Sequence, residues 1–189
     1  MSANPKGRVD VLALALAERL THERLEPRIG NVPVWDALKP IVQEGIKAGM
    51  KAAGVYYSQL IIWVKNNIVL GRKDYNPQHE LIAYGWFGAH KFERGKAKSV
   101  LFCPKPTKAK LHPTMKPVEL LRKLIANSTN TGDWVYDPFL GSGSTLIACE
   151  HLQRRCIGIE LDEQYVETAK ARWEKLTSKK AEKIEINNV

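Results

Sequence analysis

Three cysteines in 189 residues are too few for a disulfide framework, and none of Cys103, Cys149 and Cys156 forms a C-x-x-C pair or stands at ligand spacing from a histidine. No metal site is expected. No apolar run is long enough for a membrane span, since Val11 to Ala17 is broken by Glu18 and Arg19, and the first residues lack the core of a signal peptide. The expectation is a cytoplasmic protein that is neither secreted nor inserted in a membrane. Acidic residues are the minority charge: 20 Asp and Glu against 29 Lys and Arg give a formal net charge of +9, which ranks an anionic partner, nucleic acid first, above others.

With 44% hydrophobic and 26% charged residues, neither a disordered nor a fibrous class is favoured, and the length suits one buried domain. Val9 to Leu20 places apolar residues at helical spacing behind Asp10 and predicts a helix. A second helical stretch, from about Trp35 to Ala53, is interrupted by Pro40 and relieved by Gly45 and Gly49. Residues 1–54 thus form a helical amino-terminal segment without a chemical signature.

Gly54 to Val64 is dense in β-branched and aromatic residues and predicts a buried strand, with Glu80 to Trp86 as another. The polar connection Lys65 to His79 reads as a loop. From Phe87 to Leu111 basic residues alternate with Gly and Pro without a sustained period, which predicts an irregular, exposed segment. Pro117 then opens a helix through Leu120, Leu121, Leu124 and Ile125.

The last third reads as strand Trp134 to Tyr136, helix Ser144 to Leu152, strand Cys156 to Ile159 and helix Glu163 to Leu176, with a frayed tail over 177–189. This βαβα order predicts a parallel, doubly wound sheet over a domain spanning 55–176. In such a unit the first strand delivers a glycine-rich turn to a ligand, and an acid closes the second strand to meet ribose hydroxyls. Gly141, Gly143 and Glu160 stand in those places. Position 146 is Leu146, where a dinucleotide fingerprint needs glycine, and no phosphate-loop lysine follows. A bare pair of glycines plus an acid is equally compatible with an ordinary tight turn and a helix-start carboxylate.

The fuller string is more specific. His112-Pro113-Thr114-Met115-Lys116-Pro117, followed by Asp137-Pro138-Phe139-Leu140-Gly141-Ser142-Gly143-Ser144-Thr145, resembles the β-class of S-adenosylmethionine-dependent DNA adenine-N6 and cytosine-N4 methyltransferases. Ile62 to Asn66, His79-Glu80 and Tyr84 to Trp86 extend the likeness over roughly residues 55–175. The loop departs from the family string only at Ser144, where threonine is usual.

The resemblance implies a Rossmann-like methyltransferase sheet with helices on both faces, S-adenosylmethionine as cofactor, and a role in bacterial or phage DNA modification and restriction. It implies a cofactor site of His112, Pro113, Thr114, Lys116, Asp137, Pro138, Phe139, Gly141, Ser142, Gly143, Ser144, Thr145 and Glu160. Asp137 would lie near the methionine amino group and Glu160 would hold the ribose. Trp63, Tyr84 and Trp86 suit a sheet core better than a base-stacking platform. Lys65, Arg72, Lys73, Lys91, Arg94, Lys96 and Lys98 are candidates for DNA phosphate contacts, with solvated surface as the alternative.

An exocyclic base amine is a poor nucleophile because its lone pair is delocalised. In the family an Asp/Asn/Ser-Pro-Pro-aromatic tetrad polarises it while the ring stacks on the flipped-out base. No two of the ten prolines here are adjacent, so the 189 residues contain no such tetrad and no catalytic residue is assigned. The sequence is therefore compatible with an incomplete domain, with a second chain supplying the tetrad, or with a DNA- or protein-binding module that transfers no methyl group.

Overall fold

The computed structural model describes residues 9–14, 28–29, 32–33, 44–68, 74–105 and 115–184, with no side-chain placement before residue 44. The chain divides into two compact units, one holding Met1–Phe92 and Ala97–Phe102, the other Glu93–Lys96 and Cys103–Val189. The division runs through the basic segment 87–111.

The first unit carries a four-stranded sheet. Its strands are β1 (Val9–Leu14), β4 (Tyr56–Val64), β5 (His79–Phe87) and β6 (Val100–Phe102), in spatial order β1-β5-β4-β6. β2 (Arg28–Ile29) and β3 (Val32–Pro33) form a separate antiparallel pair, and residues 44–52 form helix α1. β5 runs antiparallel to both neighbours, whereas β6 runs parallel to β4. The core is Met50, Trp63, Ile82, Ala83 and Tyr84, all buried, as expected of Trp63 and Tyr84.

Two expectations are corrected here. Val9–Leu14 is a strand paired with Phe87 through Ile82, not the start of a helix. Its letters, Val-Asp-Val-Leu-Ala-Leu, are apolar at all but one position and fix no period, and pairing with β5 decides the matter. The remainder of the expected helix, residues 15–20, lies outside the described residues, as does the first part of the Trp35 helix. The irregular segment 87–111 contains β6, only three residues long, whose register is fixed by Ile62↔Val100 and Val64↔Phe102.

The second unit is built as expected. Helix α2 (Val118–Ser128) follows Pro117, which occupies the N-cap with extended backbone. Strand β7 (Trp134–Asp137) leads through the glycine loop into helix α3 (Ser144–Leu152), then β8 (Arg155–Gly158) and helix α4 (Glu163–Thr177). β7 and β8 pair in parallel, from Trp134↔Arg155 to Asp137↔Gly158, so the segment is a βαβ unit. Leu120, Leu121, Leu124 and Ile125 of α2 are buried with Ile147, Ala148 and Cys149 of α3 to make its core.

Strands alternate their side chains between faces. Trp134, Tyr136 and Ile157 are exposed on β7 and β8, and Arg155 lies over the Trp134 ring at 5.3 Å. Parallel sheets are ordinarily covered on both faces. The fold is therefore Rossmann-like but incomplete.

Candidate cofactor site

The loop between β7 and α3 is held from four directions, all within the second unit. Asp137, the last residue of β7, accepts the Phe139 N–H on Oδ1 at 2.9 Å and the Thr145 hydroxyl on Oδ2 at 2.6 Å. One carboxylate thus spans the loop from entry to exit. Backbone bonds continue the strand pairing past its end: Ile159 N–H donates to Asp137 O and Leu140 N–H to Ile159 O, both at 2.9 Å.

Glu160 closes the other side. Its Oε2 accepts the Gly141 N–H at 2.6 Å, and its Oε1 accepts those of Leu161 and Asp162 at 3.0 and 3.1 Å. The carboxylate expected to meet a ribose is thus also the clasp of the glycine loop. Asp162 caps α4 by accepting the Gln164 N–H at 2.9 Å, which fixes where the strand-end turn becomes helix.

The two glycines differ in what requires them. Gly143 has φ +81 and a side chain there would put its Cβ 2.7 Å from Ala169 Cβ, so it lets α4 approach the loop. Gly141 has φ +54, and its absent Cβ would meet nothing nearer than Phe139 O at 4.0 Å. Its side facing away from the protein is open. Such a residue leaves backbone accessible to a ligand.

Ser142, Ser144 and Thr145 are buried. Ser142 O and Oγ both accept from the Arg172 guanidinium, reaching over from α4, the latter at 3.2 Å. Burial holds the Arg172 pKa below its ordinary value. Ser144, the first residue of α3, is 7% exposed and its hydroxyl has no hydrogen-bond partner. An unsatisfied buried hydroxyl costs about 1–3 kcal/mol, and such groups in native sites commonly await a ligand or water. Pro138 and Phe139 are exposed beside it.

The structure thus brings together Asp137, Pro138, Phe139, Gly141, Ser142, Gly143, Ser144, Thr145 and Glu160. Lys116 lies half-buried in the extended stretch before α2, and His112, Pro113 and Thr114 fall outside the described residues. Ala169 and Arg172 were not legible as site residues. Their spacing puts both on one face of α4, but nothing local says that this face packs against the glycine loop.

Of the basic candidates, Lys91, Arg94, Lys96 and Lys98 are exposed, while Arg72 and Lys73 lie outside the described residues. Lys65 is corrected. It is 6% exposed, its Nζ sits 3.1 Å from Glu80 Oε1 and 5.9 Å from the Trp63 ring centroid, and its carbonyl accepts from Gln78 Nε2 at 3.0 Å. This ammonium joins β4 to β5 and is not a surface cation. A lysine read from sequence alone looks solvated because its long stem is not seen to fold back.

Comparison with known proteins agrees with this geometry. A family model described as DNA methylase, of the N6/N4 type, matches residues 89–171. The type II methyltransferase M.HpaI of Haemophilus parainfluenzae is 32% identical over 145 residues, covering 63% of this chain and 46% of the relative. The type II methyltransferase M2.DpnII of Streptococcus pneumoniae is 34% identical over 122 residues, 62% of this chain and 42% of that one. The chain spans about half the length of these curated relatives. The crystal structure of M1.HpyAVI in complex with S-adenosylmethionine superposes with a TM-score of 0.61 at 35% identity, covering 69% of this chain and 68% of that one. With the motifs in order, the βαβ loop built as described and this coverage, the chain belongs to the N6/N4 DNA methylase family.

Proposed function

We propose that this chain binds S-adenosylmethionine at the Asp137 to Thr145 loop and serves methylation of an amino group in DNA, adenine N6 or cytosine N4. The observation that carries the reading is the loop itself, with Gly141 open on its outer side beside the unsatisfied Ser144 hydroxyl and the Glu160 carboxylate. Those features suit a ligand that combines a ribose, a cationic centre and an amino acid: an acceptor for hydroxyls, an open backbone edge and a spare polar hydroxyl. When bound, the cofactor supplies an electrophilic methyl group on a sulfonium.

The chain's own residues bind and orient. Glu160 supplies negative charge at the end of β8, Asp137 keeps the loop closed through Thr145, and Arg172 secures Ser142 from α4. His112, Pro113, Thr114 and Lys116 complete the proposed site by family likeness. Lys91, Arg94, Lys96 and Lys98 supply exposed positive charge for DNA phosphates. An acceptor for the base amine is not among the assigned residues, and a second chain carrying the tetrad would provide it. The absence of adjacent prolines favours a second reading, a DNA- or protein-binding module without transfer.

Calorimetry on the folded chain tests the cofactor. Heat of binding with S-adenosylmethionine or S-adenosylhomocysteine is expected, reduced in Glu160→Gln; no heat with either would sink the proposal. Labelled-methyl transfer to DNA tests the rest, with the isolated chain expected to transfer little or none. Robust transfer by the chain alone would overturn the assignment of the tetrad to another polypeptide.

A further inference from the structure

The loop between β7 and α3 contains one peptide whose orientation the local sequence leaves open. Gly143 has left-handed backbone, φ +81 and ψ +26, but glycine takes positive and negative φ about equally, so Gly141-Ser142-Gly143 permits the Ser142–Gly143 peptide to face either way. In the structure both of its polar ends are bound. The Gly143 N–H donates to Leu140 O at 3.0 Å within the turn. The Ser142 carbonyl accepts from Arg172 Nη1, 30 residues along the chain on α4, and the same nitrogen donates to Ser142 Oγ at 3.2 Å.

Two contacts dock α4 without Arg172. Ala169 stands against Gly143, and Trp173 Nε1 donates to Glu150 Oε2 of α3 at 3.0 Å. The guanidinium adds a contact of another kind. It is half-buried, and among the described residues no carboxylate answers its charge, so burial lowers its pKa unopposed. Withdrawing a cation from water to meet a carbonyl dipole adds little net stability, since an apolar side chain would pack there without the desolvation. An apolar side chain cannot, however, choose which way a carbonyl points. A guanidinium can, because its N–H groups are set in a planar fork and stay charged at physiological pH.

We propose that Arg172 is a positioning residue for the cofactor loop: by bonding the backbone and the side chain of Ser142 together, it holds the Ser142–Gly143 peptide in one orientation and so orders the loop before its ligand arrives.

That peptide lies between the open backbone edge at Gly141 and the unsatisfied hydroxyl of Ser144. Without Arg172 the Ser142 carbonyl loses its only fixed donor, and the loop samples both orientations. A ligand then binds only the fraction that is correctly set, and apparent affinity falls by that fraction. This consequence rests on the proposed cofactor reading; the hold of Arg172 on the peptide does not.

Amide hydrogen exchange by NMR on the full chain without ligand tests the hold itself. In Arg172→Gln the Gly143 N–H is expected to exchange about tenfold faster than in the wild type, with amides in the middle of α2 unchanged as the measure of an intact fold. Arg172→Lys keeps a charged donor and is expected to recover most of the protection. Trp173→Phe, which loosens α4 but leaves Arg172 in place, is expected to protect Gly143 as the wild type does. Unchanged exchange in Arg172→Gln, or equal losses in Arg172→Lys or Trp173→Phe, would overturn the proposal. Calorimetry with S-adenosylhomocysteine then tests the consequence: about tenfold weaker binding in Arg172→Gln is expected, with partial recovery in Arg172→Lys and wild-type affinity in Trp173→Phe. Wild-type affinity in Arg172→Gln would overturn the ordering role. No binding by the wild type would remove the cofactor reading instead, while the exchange rates still decide whether Arg172 holds the loop.

Discussion

At the scale of single residues, the glycine loop separates two kinds of necessity. Gly143→Ala meets both a left-handed backbone and a Cβ placed 2.7 Å from Ala169 Cβ, so it forces α4 away from the loop. Combining the left-handed penalty of roughly 1–2 kcal/mol with an overpacking cost of about 1–3 kcal/mol predicts a loss of about 2–5 kcal/mol by denaturant titration. Gly141→Ala carries only the backbone penalty, since nothing stands closer than 4.0 Å. It is expected to lower stability by about 1–2 kcal/mol yet to cut cofactor binding as deeply as Gly143→Ala. The motif letters revealed that both were glycines; which one serves packing and which one leaves an edge open depends on Ala169, 26 positions on from Gly143 by 169 − 143.

At the scale of elements, pairing decided what periodicity left ambiguous. Helices α2, α3 and α4 and strands β4, β5, β7 and β8 were legible because each either buries a regular stripe or is bounded by Gly, Pro or a capping acid. β1 and β6 were not, because a six-residue and a three-residue strand are strands only through their partners Phe87 to Ile82 and Ile62 to Val64. The Lys65–Glu80 pair that ties β4 to β5 gives an element-level test. Glu80→Gln removes the carboxylate facing the buried Lys65 ammonium and is expected to cost about 3–5 kcal/mol, whereas Lys65→Met combined with Glu80→Leu recovers most of it. A double-mutant cycle by urea unfolding reads the difference. For α4, Asp162→Ala removes the side-chain acceptor of the Gln164 N–H and is expected to cost about 1 kcal/mol.

At the scale of the whole molecule, net charge is the property that sequence states outright and structure refines. Of the +9, the contribution of Lys65 is neutralised locally by Glu80, while Lys91, Arg94, Lys96 and Lys98 remain at the surface of the segment that the sequence marked as basic. If these four meet phosphates, the logarithm of DNA affinity falls against the logarithm of salt with a slope of about −3 to −4. Arg94→Ala is expected to make that slope shallower by about one, measured by fluorescence anisotropy across a salt series. An affinity indifferent to salt would remove this segment from the DNA surface. Among the described residues no helix is long and apolar enough to cross a membrane.

One further contact concerns anyone who would diversify this loop. Leu140 stands between Phe139 and Gly141 in the loop, and its δ carbons lie 2.8 Å from where a Cβ on Gly158 would stand. The hydrophobic plug on one strand end and the missing side chain on the other fit as a matched pair. A combinatorial library randomising residue 140 at fixed Gly158 should return small and medium apolar residues. One that also frees 158 should return swaps, bulk at 158 appearing only with a small residue at 140. Residue 140 is thus a free choice only when residue 158 varies with it.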